Sequence, residues 1–172
     1  MVSNNEERIR KVRFWSTQSR DPARHYQHSE LGYNYRMSNI AAGIGRGQLK
    51  VLDQRVAKKK YIFEYYKREL SGLPGVHFMP VNKWNEPNYW LSCMTLDSPV
   101  KPLAIMEALE KENIEARPIW KPMHLQPFFE KYDFIGEGIS EKIFENGICL
   151  PSDTKMTDED LSRICGIIKS LW

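Results

Sequence analysis

Between Ser16 and Arg36 the chain runs STQSRDPARHYQHSELGYNYR, with three arginines, two histidines, three tyrosines, two glutamines and few aliphatic residues. A polar, aromatic-rich stretch of this length in a compact domain is the composition of a binding loop. Its last residues carry the sharpest chemistry. The Asn34 carboxamide has two hydrogens to donate, and the Arg36 guanidinium can fork onto a phosphate or carboxylate. Ser38 then reads as a helix N-cap, and the N–H groups at a helix start are further donors to an anion. Two readings stay open from spacing alone. In one, Asn34 and Arg36 hold a ligand; in the other, Asn34 and Ser38 cap the helix and Arg36 pairs with Glu30. His25 and His28 do not read as a metal site, because Pro22 argues against a helix aligning them and no carboxylate or cysteine partner is evident.

A second candidate is ARPIWKPMHLQPFF, Ala116 to Phe129, where three prolines hold an extended loop. It presents Arg117, Trp120, Lys121, His124 and Gln126 between apolar residues, a lining suited to a ligand with both rings and charges. With a reference pKa of about 6.5, His124 could donate a hydrogen bond or act as acid or base. The alternative is a proline-rich cover strip that packs Trp120 and Phe128 on the core. No catalytic nucleophile stands out. The glycines of GIGRG, Gly43 to Gly47, fall inside a helical pattern rather than between a strand and a helix, so they are not a phosphate loop.

The elements that must position these residues are legible. An N-terminal charged helix, NNEERIRKVRFW, precedes the polar loop. From Ser38 to about Leu70 a stripe at spacings of three and four (Ala42, Gly45, Leu49, Leu52, Val56, Lys59, Phe63, Tyr66, Leu70) predicts one long helix, stopped by Ser71-Gly72 and Pro74-Gly75. Gly43, Gly45 and Gly47 lie within it, and each costs about 1 kcal/mol against alanine. Close approach of another backbone or of a partner subunit would explain them; the alternative is a flexible, poorly formed helix start. Strands are expected at Val76–Pro80, at Tyr89–Leu96 as a central strand, at IEARP and at ICLP. Helices are expected at Pro102–Asn113, with Leu103, Met106 and Leu109 on one face, at ISEKIFENG closed by Gly147, and at the C-terminus from Thr157. The fold class is α+β (α/β): a long helix plus a small antiparallel or mixed sheet with helices. The division is 1–37 for the N-terminal helix and polar loop, 38–72 for the long linking helix and 73–172 for a small α+β domain.

Composition narrows the function classes. The chain has 172 residues, 41% hydrophobic and 12% aromatic, with a net charge of only +3. That is enough for a globular core and too little positive charge for a nucleic-acid footprint; a nucleic-acid binder using the basic N-terminal helix is the weakest of the readings. Three cysteines without a C-x-x-C motif suit neither a disulfide framework nor a zinc site. No apolar run reaches membrane-spanning length and the N-terminus lacks a signal-peptide core, so the expectation is a cytoplasmic chain. The N-terminus also reads like the middle of a protein, so a fragment is expected.

FWSTQSRDPARHYQHSELGYNYRMSNIAAGIGRGQLKVLDQR, with ARPIWKPMHLQPFF and GICLPSDTKMTDED, resembles the C-terminal part of the DegT/DnrJ/EryC1/StrS family. These are pyridoxal-phosphate-dependent nucleotide-sugar aminotransferases. The nearest resemblance is to those aminating C4 of a UDP-linked 4-keto-6-deoxy-N-acetylhexosamine. The resemblance implies the small C-terminal domain of a fold-type I aminotransferase, a homodimer with active sites at the subunit interface, glutamate as amino donor and a keto nucleotide-sugar as acceptor. It implies that Asn34 reaches the cofactor phosphate in the neighbouring subunit's site. Arg36, His25, Arg117, Trp120 and His124 are then candidates for the substrate side. It also implies a departure: the Schiff-base lysine of this family lies upstream of the segment present, and Lys50, Lys58, Lys59 and Lys60 do not sit in its context. No catalytic residue is therefore assigned, and the chain by itself is expected to bind without transaminating. The alternative is a non-catalytic dimerisation or ligand-binding module built on the glycine-rich helix.

Overall fold

The computed structural model describes residues 2–172, which form two compact units divided between Val51 and Leu52. In the first unit, helix α1 (Glu6–Ser16) starts at Asn5, whose side chain accepts from the Arg8 N–H at 3.0 Å, with Glu6 and Glu7 in the first turn. It ends at Thr17, whose hydroxyl donates to the Arg13 carbonyl at 2.8 Å. The chain then doubles back. Tyr33 N donates to Trp15 O at 2.7 Å, Gln18 N to Tyr33 O at 3.0 Å and Tyr35 N to Ser16 O at 3.1 Å. Gly32 permits this approach, because a Cβ there would collide with the backbone of Gln18 and Ser19. Helix α2 (Asn39–Leu49) follows, capped by Ser38, whose hydroxyl accepts from Ala41 N at 3.2 Å.

The long helix expected from 38 to 72 is interrupted. Helix α3 runs Leu52–Leu70, and between it and α2 the bonds tighten to the i→i−3 kind, Lys50 N to Gly47 O at 3.3 Å and Val51 N to Gln48 O at 3.1 Å. The apolar stripe continues through the break, which is why periodicity alone does not reveal it. The reason lies in burial: no residue of α2 is buried, whereas α3 buries Ile62, Phe63, Tyr66 and Leu70. The second half has a core to pack against, and the glycine-rich first half buries no residue.

The second unit is a four-stranded antiparallel sheet of β1 (Val76–Phe78), β2 (Ser92–Leu96), β3 (Arg117–Pro118) and β4 (Gly147–Leu150), in the order β1-β2-β4-β3. Three helices cover one face: α3, α4 (Pro102–Glu110) and α6 (Asp158–Lys169). Met94, Leu96, Ile148 and Leu150 meet Ile62, Tyr66, Leu70, Ile105, Leu109, Leu161, Ile164 and Ile168 there. Helix α5 (Ile139–Asn146) packs on β2 and β4. Both central strands are thus covered on two sides, as the run of β-formers suggested. Gly75, at φ 76°, lets Asp97 N reach the Gly75 carbonyl at 2.7 Å as the chain enters β1. Helix α6 carries a full capping box between Thr157 and Asp160.

Two expectations are corrected in this unit. Strand β2 starts at Ser92 rather than Tyr89, because Tyr89 has φ 50° and Trp90 N turns back to the Asn88 side chain at 3.0 Å. In α4, Leu103 is exposed and Ile105 fills the core with Leu109 and Pro102. Of the expected triplet, Leu109 lies in the core and Met106 packs against it, and only Leu103 is off the buried face.

Candidate functional site

In the first unit, the backbone bridge between Thr17 and Asn34 fixes GYNYR as an extended segment beside the end of α1. Side chains alternate along it: Tyr33 and Tyr35 stack, with centroids 5.0 Å apart and planes 4° from parallel, which puts Asn34 on the opposite side. The Asn34 carboxamide is exposed and makes no side-chain hydrogen bond among the described residues. Glu30 does not pair with Arg36. It is bound by the Lys11 ammonium and by Trp15 Nε1 at 2.7 Å, and the Lys11 bond, followed by that of Trp15, holds its carboxyl below the usual range. Arg36 instead lines a cleft of about 570 Å³ with Ile9, Val12, Arg13, Ser16 and Thr17. His25 is exposed on the loop, bonded to Gln27 at 3.2 Å, while His28 Nδ1 meets the Gln18 carbonyl at 2.8 Å. Among the described residues, the Asn34 and Arg36 side chains thus have no hydrogen-bond or ion-pair partner just ahead of a capped helix start.

In the second unit, a cleft of about 610 Å³ opens beside β3 and β4. It brings together the predicted Arg117 and Trp120 with Trp90, Lys121, Phe144 and Cys149. Trp90 and Trp120 face each other at 6.2 Å between centroids, tilted by 34°, and both are more than half exposed. Arg117 Nε donates to Glu115 at 2.8 Å, which raises the guanidinium further and leaves its two terminal amino groups free. The cleft therefore offers two aromatic faces and a forked cation.

His124 is not in this lining. Its Nε2 meets Glu141 at 2.7 Å and its ring stacks on Phe134 at 3.6 Å, so it joins the 3-10 turn Met123–Leu125 to α5. The Glu141 carboxyl is held low, first by its own backbone N–H and then by Ser140 and His124.

Sequence reasoning missed what positions Trp90. Lys59 Nζ donates to the Trp90 carbonyl at 3.0 Å and also to the Ser152 carbonyl, and desolvation pushes its amine down. Ser152 Oγ accepts from Ser92 N at 3.1 Å and donates to Leu150 O at 2.9 Å. The start of β2 and the end of β4 are tied at the cleft rim. A signal existed: Lys59 is the one charged residue in an apolar helical stripe, a position where an amine must find acceptors.

The two-unit architecture is one shared with aminotransferase chains. The structure of the aminotransferase TlmJ from Streptoalloteichus hindustanus superposes with a TM-score of 0.84 at 20% identity, over 97% of this chain and 45% of that one. The chain belongs to the DegT/DnrJ/EryC1/StrS aminotransferase family, whose model matches residues 1–169. It is 47% identical over its whole length to "Putative pyridoxal phosphate-dependent aminotransferase EpsN" of Bacillus subtilis (strain 168), and 34% identical to GDP-perosamine synthase of Vibrio cholerae. It spans 45% and 47% of those two relatives, and corresponds to a C-terminal portion of such enzymes.

Pyridoxal phosphate, which the family uses, needs donors for its phosphate and an amine for attachment. The residues fit the first need: Asn34 offers an amide with no side-chain partner among the described residues, and α2 begins five residues later. For the second, the first unit holds two lysines among its described residues. Of the lysines in the first unit, Lys11 is bound to Glu30 and Lys50 sits at the far end of α2. Among the described residues no helix is long and apolar enough to cross a membrane, and no cluster of three metal-ligating side chains occurs.

Proposed function

We propose that this chain supplies the recognition half of a pyridoxal-phosphate-dependent aminotransferase that moves an amino group from glutamate to a keto nucleotide-sugar. The cofactor, when bound, supplies the carrier for the amino group. The chain's own residues bind and orient. The observation that carries this reading is the cleft holding Trp90, Trp120 and Arg117. Aromatic faces suit a nucleobase or sugar ring, and a guanidinium with free amino groups suits a diphosphate. His124, engaged with Glu141, would shape this surface by holding α5. Arg36 and His25 extend the candidate substrate side in the first unit.

Asn34 would donate to the cofactor phosphate in a second copy of the chain, which makes a homodimer part of the reading. The exposed face of α2 suits such a contact: Ile40, Gly43, Ile44 and Gly47 fall on one side, with Ile40 and Ile44 well exposed. Without a suitably placed lysine the chain by itself would bind and not turn over.

Titration of the purified chain with UDP and with GDP, read by tryptophan fluorescence, tests the proposal. Saturable quenching by one of them is expected. It should weaken about tenfold or more in Trp120→Ala, consistent with the ~1–3 kcal/mol of a base–aromatic stack. No response to either nucleotide at millimolar concentration sinks the recognition role. A stable dimer with no such response would favour the non-catalytic dimerisation module instead.

A further inference from the structure

Cys93 and Cys149 are direct partners in the antiparallel register of β2 and β4, and their sulfurs lie 3.6 Å apart. Directly opposed residues in such a ladder have Cα atoms about 4.5–5.5 Å apart, inside the range a disulfide accepts. Their side chains point away from the main core, toward the face where α5 packs: Met94, Leu96, Ile148 and Leu150 fill the other side. Cys93 is half-buried, and Cys149 lines the cleft that also holds Trp90 and Trp120. The third cysteine, Cys165, is buried in the main core on α6, away from this face.

We propose that Cys93 and Cys149 form a reversible oxidation site, a cross-strand dithiol that a small disulfide such as oxidised glutathione converts to a β2–β4 staple. The thiolate of Cys93, the more exposed of the two, attacks one sulfur of the small disulfide. One small thiol leaves and a mixed disulfide remains on Cys93. The Cys149 thiolate then attacks the Cys93 sulfur and expels the second small thiol. The two protein thiols lose two protons and two electrons, and the small disulfide is reduced to two thiols.

Burial pushes the Cys93 thiol up to about 12, with Cys149 beside it adding to the effect, and burial also raises Cys149. The pair is therefore protonated near neutral pH and reacts slowly there, because only the thiolate attacks. Bond formation shortens the sulfur separation from 3.6 Å to about 2.05 Å, and Cys149 is one of the residues that line the cleft.

The test is a thiol count on the full chain, denatured after exposure to oxidised glutathione at mildly alkaline pH. The expected result is a fall from three free thiols to one, reversed by dithiothreitol, with a proteolytic fragment joining Cys93 to Cys149. In Cys165→Ser the same treatment should leave no free thiol, while Cys93→Ser should yield no intrachain cross-link. Three thiols persisting, a cross-link through Cys165, or mixed disulfides that never resolve internally each overturn the proposal. None of these outcomes depends on nucleotide binding.

Discussion

The glycines of α2 offer the sharpest perturbation. A Cβ added at Gly43, Gly45 or Gly47 meets nothing within 4 Å, and Ile40, Ile44 and Leu49 around them are 77%, 61% and 68% exposed. In this chain by itself, therefore, glycine has only a cost. Each substitution by alanine should gain about 0.8–1 kcal/mol, less at Gly47 in the fraying last turn, so the triple variant should gain about 2–3 kcal/mol. That shifts the helix–coil balance of this segment by about 30- to 150-fold. Circular dichroism at low concentration, with urea titration, should show more helix and a later midpoint. If the glycines are kept for close approach of a second copy, the same variant should associate more weakly in sedimentation experiments. Gain of helix with loss of association supports the interface. Loss of helix would show that a Cβ does meet something, and unchanged association would refute close packing through this face.

Three further outcomes follow from side-chain contacts. Tyr66 is fully buried, with its hydroxyl donating to the Pro151 carbonyl at 2.9 Å, so Tyr66→Phe should cost about 1–2 kcal/mol and lower the melting temperature by several degrees in calorimetry. The Cys93–Cys149 staple spans 56 positions, and closing that loop should stabilise the oxidised chain by up to about 4 kcal/mol, read as a higher urea midpoint than that of the reduced chain. The carboxyls of Glu30, Glu69 and Asp160 are depressed, chiefly by the Lys11 bond, the Lys169 bond and the Thr157 backbone bond respectively. Their folded values lie below the unfolded ones, so their contribution is complete above about pH 4.5 and lost as pH falls through the folded values. Urea midpoints should be flat from neutrality to about pH 5 and drop below pH 4.

Most of the fold was legible because its signals are local. Thr157 with Asp160 three residues on, Pro102 at a first turn, and the run of β-formers that contains Ser92–Leu96 each specify an element within a few residues. What failed depended on contacts the pattern does not contain. Periodicity runs unbroken from Ala42 to Leu70, yet only the part beyond Val51 has a core to pack against, and the helix divides there. Leu103 and Ile105 are equally apolar, and only the direction of the sheet decides which one is buried. Cys93 and Cys149 could not be paired from sequence, since their meeting depends on β2 lying beside β4 in one register.

The candidate site divides along the same line. The place of Asn34 and Arg36 ahead of a helix start was readable because the Ser38 cap lies within a few residues of them, whereas the Thr17–Asn34 bridge joins positions far apart in sequence. The aromatic cleft needed Trp90 and Trp120, thirty positions apart, to face one another across strand ends that Lys59 and Ser152 fasten. His124 shows the converse. Its type and its proline-rich setting suggested chemistry, but Glu141 and Phe134 occupy its Nε2 and its ring face. A histidine held on both counts is a strut, and the effect of His124→Ala on nucleotide affinity would then pass through α5 and Phe144 at the cleft wall rather than through a lost ligand contact.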